Sequence, residues 1–400
     1  MALYVNIKKT LGAFCLDVSF EIGEDIMAIL GTSGCGKSMT LKCIAGIEKP
    51  DRGQIILNGR TLFDSEKKIN LPPQQRRVGY MFQDYALFPN MTVAGNIAAG
   101  IREKDKALRE AMVREYMRRF HVAELENHYP SQLSGGQKQR VAMARMLASE
   151  PELIMLDEPF SALDAHLKWA LEQEVRETLH RVGRTCLFVS HSRDEVYRLS
   201  ELVGVMDAGH MDHVKPVRQL FEAPQTRTAA ILSGCRNITP ARRLSEHALE
   251  IPGWGLSLRL ERDIPEDIAW VGIRAHYFRI AEESIGNRGS IDNVENREHG
   301  KNIEDRENTA PGESRAHGAH GLHREEAQAE ASSALSALIL LPVCQAVPTE
   351  EPFEWNVAFT CGQGLERIHW RVSKDIWNYR GEDDLPRMLC AEQKDLLLLR

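Results

Sequence analysis

The segment Gly31-Thr32-Ser33-Gly34-Cys35-Gly36-Lys37-Ser38 constrains this chain more than any other. It follows Ile26-Met27-Ala28-Ile29-Leu30, a run apolar at every position, and precedes Met39–Ile44, which reads as a helix. The spacing GxxxxGK followed by Ser or Thr, set between a buried strand and a helix, is the context a phosphate-cradling loop requires. Glycines let successive backbone N–H groups turn inward onto phosphate oxygens. The helix N-terminus adds partial positive charge. Lys37 then reaches the terminal phosphates of a nucleotide, and the Ser38 hydroxyl ligates Mg2+. A glycine-rich turn with a chance lysine is the plain alternative, and the flanking strand and helix disfavour it. Gly31, Ser33, Gly34, Cys35, Gly36, Lys37, Ser38 and Met39 are the expected nucleotide-binding residues.

A second apolar run, Leu153-Ile154-Met155-Leu156, ends in Asp157-Glu158. Ligands of an open α/β sheet bind beyond the C-terminal ends of its strands, so both acids should face the nucleotide crevice. Adjacent side chains leaving a strand point apart. Asp157 can therefore hold the Mg2+ shell while Glu158 polarises the attacking water. Alone, such a strand end would be an ordinary surface edge; the upstream phosphate loop favours the functional reading. Cys186-Leu187-Phe188-Val189 is a third apolar run. Runs of this kind suit strands covered on both faces, as in a parallel sheet. Leu167 to Val182 repeats apolar residues at 167, 171, 175, 179 and 182, one stripe of a helix. Strands alternating with helices predict an α/β fold with a parallel-sheet core.

Between these elements lies Leu133-Ser134-Gly135-Gly136-Gln137, followed by a helix from about Lys138 to Ala148. Glycines at a helix start again present N–H groups to phosphate, and Ser134 fits the helix N-cap. Together with the other two motifs, in this order, the segment resembles the signature of ABC ATPases. The resemblance implies an ABC ATPase cassette: a parallel-sheet core plus a helical subdomain, with ATP and Mg2+ as cofactors. It also implies that Ser134, Gly135, Gly136 and Gln137 meet the ATP bound to a second copy, in a head-to-tail dimer. Three further positions match the family. Gln83 resembles the glutamine that contacts Mg2+ and water. Asp164, in Ser161-Ala162-Leu163-Asp164, resembles the loop that crosses the dimer interface. His191, directly after the third run, resembles the switch histidine on the γ-phosphate. The expected catalytic residues are thus Glu158, His191 and Gln83, and the expected metal contacts Ser38, Gln83 and Asp157. Many members stack an aromatic residue on adenine ahead of the loop. Here Phe14 alternates with Leu16, Val18 and Phe20 and reads as core, Tyr4 lies further off, and Lys8 to Gly12 holds no aromatic.

Composition fits this reading. The net charge is −7, from 50 basic and 57 acidic residues, so the chain lacks the basic balance of a nucleic-acid binder. Eight cysteines with no CxxC pair signal neither a zinc ribbon nor a disulfide scaffold. No run approaches the ~18 apolar residues of a membrane span, and the most apolar stretch, Leu335 to Val343, is short and holds Pro342. A role at a membrane would therefore need docking onto another chain that spans; the resemblance implies integral-membrane permease subunits as that partner, with this chain peripheral on the cytoplasmic face. A 400-residue length suggests two domains. We expect the cassette over residues 1–232, with its helical subdomain at about 97–150, and a β-rich accessory domain over 233–400. In the latter, Glu354 to Val372 reads as a hairpin turning at Gly362-Gln363-Gly364. Residues 286–333 are polar and charge-mixed, a composition that favours disorder. His317, His320 and His323 lie within them and read as solvated residues rather than a metal site.

A single cassette without spans, followed by a β-rich domain, resembles the ATPases of importers fed by a substrate-binding protein. Phe88-Pro89-Asn90-Met91-Thr92-Val93 and Leu156 to Asp164 resemble the subgroup serving molybdate, sulfate, polyamines, iron and sugars. Ile7 to Gly12, Gly234 to Ile238 and Val271 to His276 resemble molybdate importer ATPases; sulfate is the alternative solute. In the family, Gln83 to Asn96 is the segment that docks the permease, with internal packing as the plain reading. ABC ATPases acting in DNA repair or on ribosomes usually carry two cassettes or a long coiled coil. This chain has one phosphate loop and one signature, with roughly 95 residues from Ser38 to Leu133.

Overall fold

The computed structural model describes residues 2–161, 165–281, 338–377 and 379–400. The chain divides into two compact units, Met1–Ala223 and Pro224–Arg400.

In the first unit, β1 (Leu3–Leu11) and β2 (Phe14–Ile22) form an antiparallel pair. Along β2, Leu16, Val18 and Phe20 are buried, as their alternation requires, while Phe14 is half-buried. β3 (Ile26–Gly31) feeds helix α1 (Lys37–Ala45). β4 (Arg52–Leu57), β5 (Arg60–Asp64) and β6 (Ile69–Asn70) extend the antiparallel side. A single turn, α2 (Pro73–Arg76), leads to β7 (Val78–Met81). Three helices follow, α3 (Val93–Gly100), α4 (Lys106–Arg119) and α5 (Gly135–Ala148), before β8 (Leu153–Asp157). The unit continues with α6 (Ala165–Val182), β9 (Cys186–Ser190), α7 (Arg193–Leu199) and β10 (Leu202–Asp207). Along α6, Leu171, Val175 and Leu179 are buried, the stripe their spacing predicts.

One sheet runs β6-β5-β4-β1-β2, then the short strand His210–Met211, then β10-β3-β9-β8-β7. The last five strands are parallel. β3, β8 and β9 are buried at every position, which explains why their sequences show no polar alternation. At about 4.8 Å per strand, the C-terminal ends of β3, β9, β8 and β7 line up within about 14 Å. That row carries the phosphate loop, His191, Asp157-Glu158 and Gln83 in turn. The antiparallel wing is a feature the sequence reading did not join to the parallel core.

Helix α1 is fixed at its far end by Arg76. This arginine is fully buried and donates to Leu71 O, Cys43 O, Ile44 O and Asn70 Oδ1 at 2.8–2.9 Å. It thereby satisfies carbonyls that a helix C-terminus leaves open. Burial pushes its guanidinium down to about 10, still protonated at neutral pH. Gly46 ends the helix at φ 80, and a Cβ there would stand 2.4 Å from Arg76 Nε.

The second unit is β-rich. Asn237–Pro240, Trp270–Ile273 and Leu397–Leu399 form one antiparallel sheet. Arg242–Arg243, Ala248–Ile251 and Leu256–Arg259 form another. A third joins Arg279–Ile280, Met388–Glu392, Leu338–Glu350, Glu354–Cys361 and Arg367–Ser373. The last two strands are the expected hairpin, with Val357, Phe359, Cys361, Ile368, Trp370 and Val372 all buried. The division after Ala223 falls ahead of the expected position 232. Helix Arg227–Leu232 packs Ala230 against Cys235, Leu397 and Leu399, and so belongs to the second unit. The polar segment 286–333, with His317, His320 and His323, lies outside the described residues. The apolar stretch at 335–343 is strand from Leu338 onward. Among the described residues, no helix is long and apolar enough to cross a membrane.

Candidate functional site

The site is built from the row of strand ends. The loop after β3 turns through Gly34 at φ 80 and Gly36 at φ 112, a left-handed region that favours glycine. At Gly31 a Cβ would lie 2.5 Å from Met206 O, so the first glycine is required by close approach. Ser33 is exposed, Cys35 is buried, and Met39 packs half-buried against the core. Lys37 is 5% exposed. Its ammonium donates to Gly31 O at 3.0 Å and Thr32 O at 2.8 Å, which holds it across the loop. Gly36 caps α1 without a side chain, leaving the first N–H groups of the helix to an incoming acceptor. The Phe14 ring lies beside Gly36, where a Cβ would come within 3.0 Å of it.

Ser38, on the first turn of α1, donates to Asp157 Oδ1 at 2.7 Å. Asp157, at the end of β8, is 5% exposed. Its second oxygen accepts from Tyr80 Oη at 2.8 Å. A nearly buried carboxylate with a hydroxyl on each oxygen is a hard oxygen cluster, the donor chemistry that Mg2+ takes. Burial, with the charge of Asp157 beside it, pushes the Tyr80 phenol far above the ordinary tyrosine range, so it stays a donor.

Glu158 sits one residue beyond, at φ 44, a left-handed conformation that a glutamate adopts only under constraint. Its N–H donates to Val189 O of β9 at 3.1 Å, and its carbonyl accepts from Ser161. Its carboxylate has partners separate from those of Asp157. Glu158 Oε2 lies 3.3 Å from His191 Nδ1 and 3.4 Å from Gln83 Nε2. Gln83 Nε2 also reaches Ser161 Oγ at 3.4 Å. Two of the three expected catalytic residues, Gln83 and His191, thus converge on one carboxylate oxygen of the third, Glu158. Among the described residues, Gln83 makes no hydrogen bond to Ser38 or Asp157; its amide faces Glu158 and Ser161.

The signature forms the start of α5. Ser134 Oγ accepts from Gln137 N, and Gln137 Oε1 accepts from Ser134 N, a reciprocal capping box. Ser134 and Gly135 are exposed, and Gly136 and Gln137 half-buried. Among the described residues, no hydrogen bond joins this cap to the cluster at the strand ends. Asp164 lies outside the described residues. In the segment after Gln83, Tyr85 packs inward while Phe88 and Met91 remain 45% and 43% exposed.

Tyr80 was not legible as a functional residue. A tyrosine in a strand reads as core, and only the parallel pairing of β7 with β8 sets it beside Asp157. Tyr80→Phe keeps the ring and its contact with Phe82. It should weaken divalent-metal affinity about tenfold, the usual effect of losing a hydrogen bond behind a metal ligand, while metal-free nucleotide binding stays unchanged. Mn2+ titration with and without nucleotide measures both.

The family model described as ABC transporter matches residues 15–161. An Fe(3+) ions import ATP-binding protein of Haemophilus influenzae is 40% identical over 271 residues, 67% of this chain and 75% of that protein. A sulfate/thiosulfate import ATP-binding protein of Chromobacterium violaceum is 41% identical over 263 residues, 64% of this chain and 69% of that protein. A molybdate/tungstate import ATP-binding protein of Archaeoglobus fulgidus is 41% identical over 238 residues, 60% of this chain and 96% of that protein. With these matches spanning most of each relative, and with the phosphate loop, paired acids and signature in one unit, the chain belongs to the ABC transporter family, among its import ATP-binding proteins.

Proposed function

We propose that this chain hydrolyses ATP to drive uptake of an oxyanion, most specifically molybdate, through permease subunits in the membrane. The observation that carries the hydrolytic part is the convergence of Gln83 and His191 on Glu158, next to the Ser38–Asp157 pair. Glu158 orients and deprotonates the attacking water, and His191 holds the γ-phosphate and the position of Glu158. Lys37 and the loop amides stabilise charge developing on the phosphoryl oxygens. Ser38 and Asp157, with Gln83 closing in from β7, would hold a magnesium ion, which supplies charge neutralisation when bound.

Ser134 and Gly135 of the signature are exposed and, among the described residues, make no hydrogen bond to the cluster of their own copy, which supports their use by a second copy. Two chains arranged head to tail would each complete the other's site. Closure then gates chemistry and moves the docked permease. The exposed Phe88 and Met91 suit that docking. The chain would sit peripherally on the cytoplasmic face, fed indirectly by a substrate-binding protein and with no nucleic-acid partner. The first unit is the cassette and the second an accessory domain.

Relatives whose names carry iron, sulfate and molybdate stand at 40%, 41% and 41% identity, so overall identity does not select the solute. Molybdate rests on the resemblance of Ile7–Gly12, Gly234–Ile238 and Val271–His276. Parts of the last two pair as neighbouring strands, Asn237 opposite Ile273, which supports reading them as one element. ATPase activity of the assembled complex tests the solute. Binding protein loaded with molybdate should raise the rate severalfold and sulfate should not; stimulation by sulfate alone would overturn the choice.

A further inference from the structure

About two turns beyond the signature, helix α5 carries Arg145. Its half-buried guanidinium donates to Ala86 O at 2.8 Å, Tyr85 O at 3.0 Å and Asn96 Oδ1 at 3.4 Å. It also lies 5.0 Å from the centre of the Phe88 ring. Among the described residues it has no carboxylate partner, so its charge is directed at loop carbonyls and an aromatic face. The loop it grips is under constraint. Tyr85 and Ala86 are consecutive non-glycine residues in the left-handed region, at φ 62 and φ 41. Such a pair persists only where its surroundings over-determine it. Fully buried Asn96 closes the other side, donating to Phe88 O, Met91 O and Thr92 O and accepting from Phe88 N. Gln83 stands two residues before the gripped turn, with its amide 3.4 Å from Glu158 Oε2.

A purely structural tie is the plain alternative, but two features favour more. The grip falls on the strained turn nearest Gln83, and it comes from the helix that begins with the signature. We propose that Arg145 is a positioning residue for Gln83: it fastens the Gln83 loop to the signature helix, so that displacement of α5 moves Gln83 relative to Glu158. Arg145 touches no reacting atom and acts through Gln83. This rests on the proposed role of Gln83 in hydrolysis. A lysine cannot replace the fork, because a single ammonium does not span two carbonyls with fixed geometry.

The test is a double-mutant cycle in the full chain, with Arg145→Lys and Gln83→Ala separately and together, reading kcat and KM for ATP. Arg145→Lys should lower kcat about tenfold, with KM within about twofold. The double variant should be no slower than Gln83→Ala alone. Multiplicative losses in the double variant would overturn the proposal. Unchanged kcat for Gln83→Ala would instead remove Gln83 from the site, a failure of the functional reading that the cycle separates from the first. Thermal unfolding and binding of a fluorescent ATP analogue verify the fold. Should Arg145→Lys not fold, Arg145→Gln, which retains one amide donor, is run through the same cycle with the same two outcomes.

Discussion

Replacing Glu158 with Gln is expected to lower kcat by about a thousandfold while ATP remains bound, within the range for removing a general base. The substitution keeps shape and hydrogen-bonding length but removes the carboxylate on which Gln83 and His191 converge. It leaves Lys37, Ser38 and Asp157 in place, so nucleotide affinity should hold. Bound ATP that cannot be cleaved should trap the paired state, and the variant should run as a dimer on gel filtration only with ATP. Single-turnover phosphate release reads the chemical step. Near-normal turnover would remove Glu158 from its role, and Asp157, hidden behind two hydroxyls, could not replace it.

Lys37→Ala should weaken ATP binding by about 10–100-fold. Charge-assisted hydrogen bonds contribute roughly 1.5–3 kcal/mol each, and ~1.4 kcal/mol is a tenfold change in affinity. The ammonium bridges Gly31 O and Thr32 O, so the loop should also lose definition. Titration with a fluorescent ATP analogue measures the loss, and unchanged affinity would refute the phosphate-loop assignment. The two variants separate the steps: Lys37→Ala fails at binding, Glu158→Gln at chemistry.

The parallel core was legible because strands buried on both faces leave unbroken apolar runs, as at 26–30, 153–156 and 186–189. The phosphate loop was legible because its glycines answer local demands, left-handed φ at Gly34 and Gly36 and close approach at Gly31. Ser134 read correctly as a cap because capping is a relation between near neighbours. What escaped depends on register and long-range contact. Tyr80 meets Asp157 only through strand pairing. Arg145 meets Tyr85 and Ala86 only through contacts about 60 residues apart in the chain. The left-handed twist of Glu158 has no local signature, since glutamate gives no hint of it. Placement of helix Arg227–Leu232 was likewise decided by distant partners, Leu397 and Leu399.

The most direct measurement is a crystal structure of the Glu158→Gln chain grown with Mg2+ and ATP. Two copies should enclose two nucleotides, with Ser134 and Gly136 of one within hydrogen-bond distance of the γ-phosphate that Lys37 of the other holds. A nucleotide on the phosphate loop with Ser134 remote from it, in both copies, would contradict the shared site.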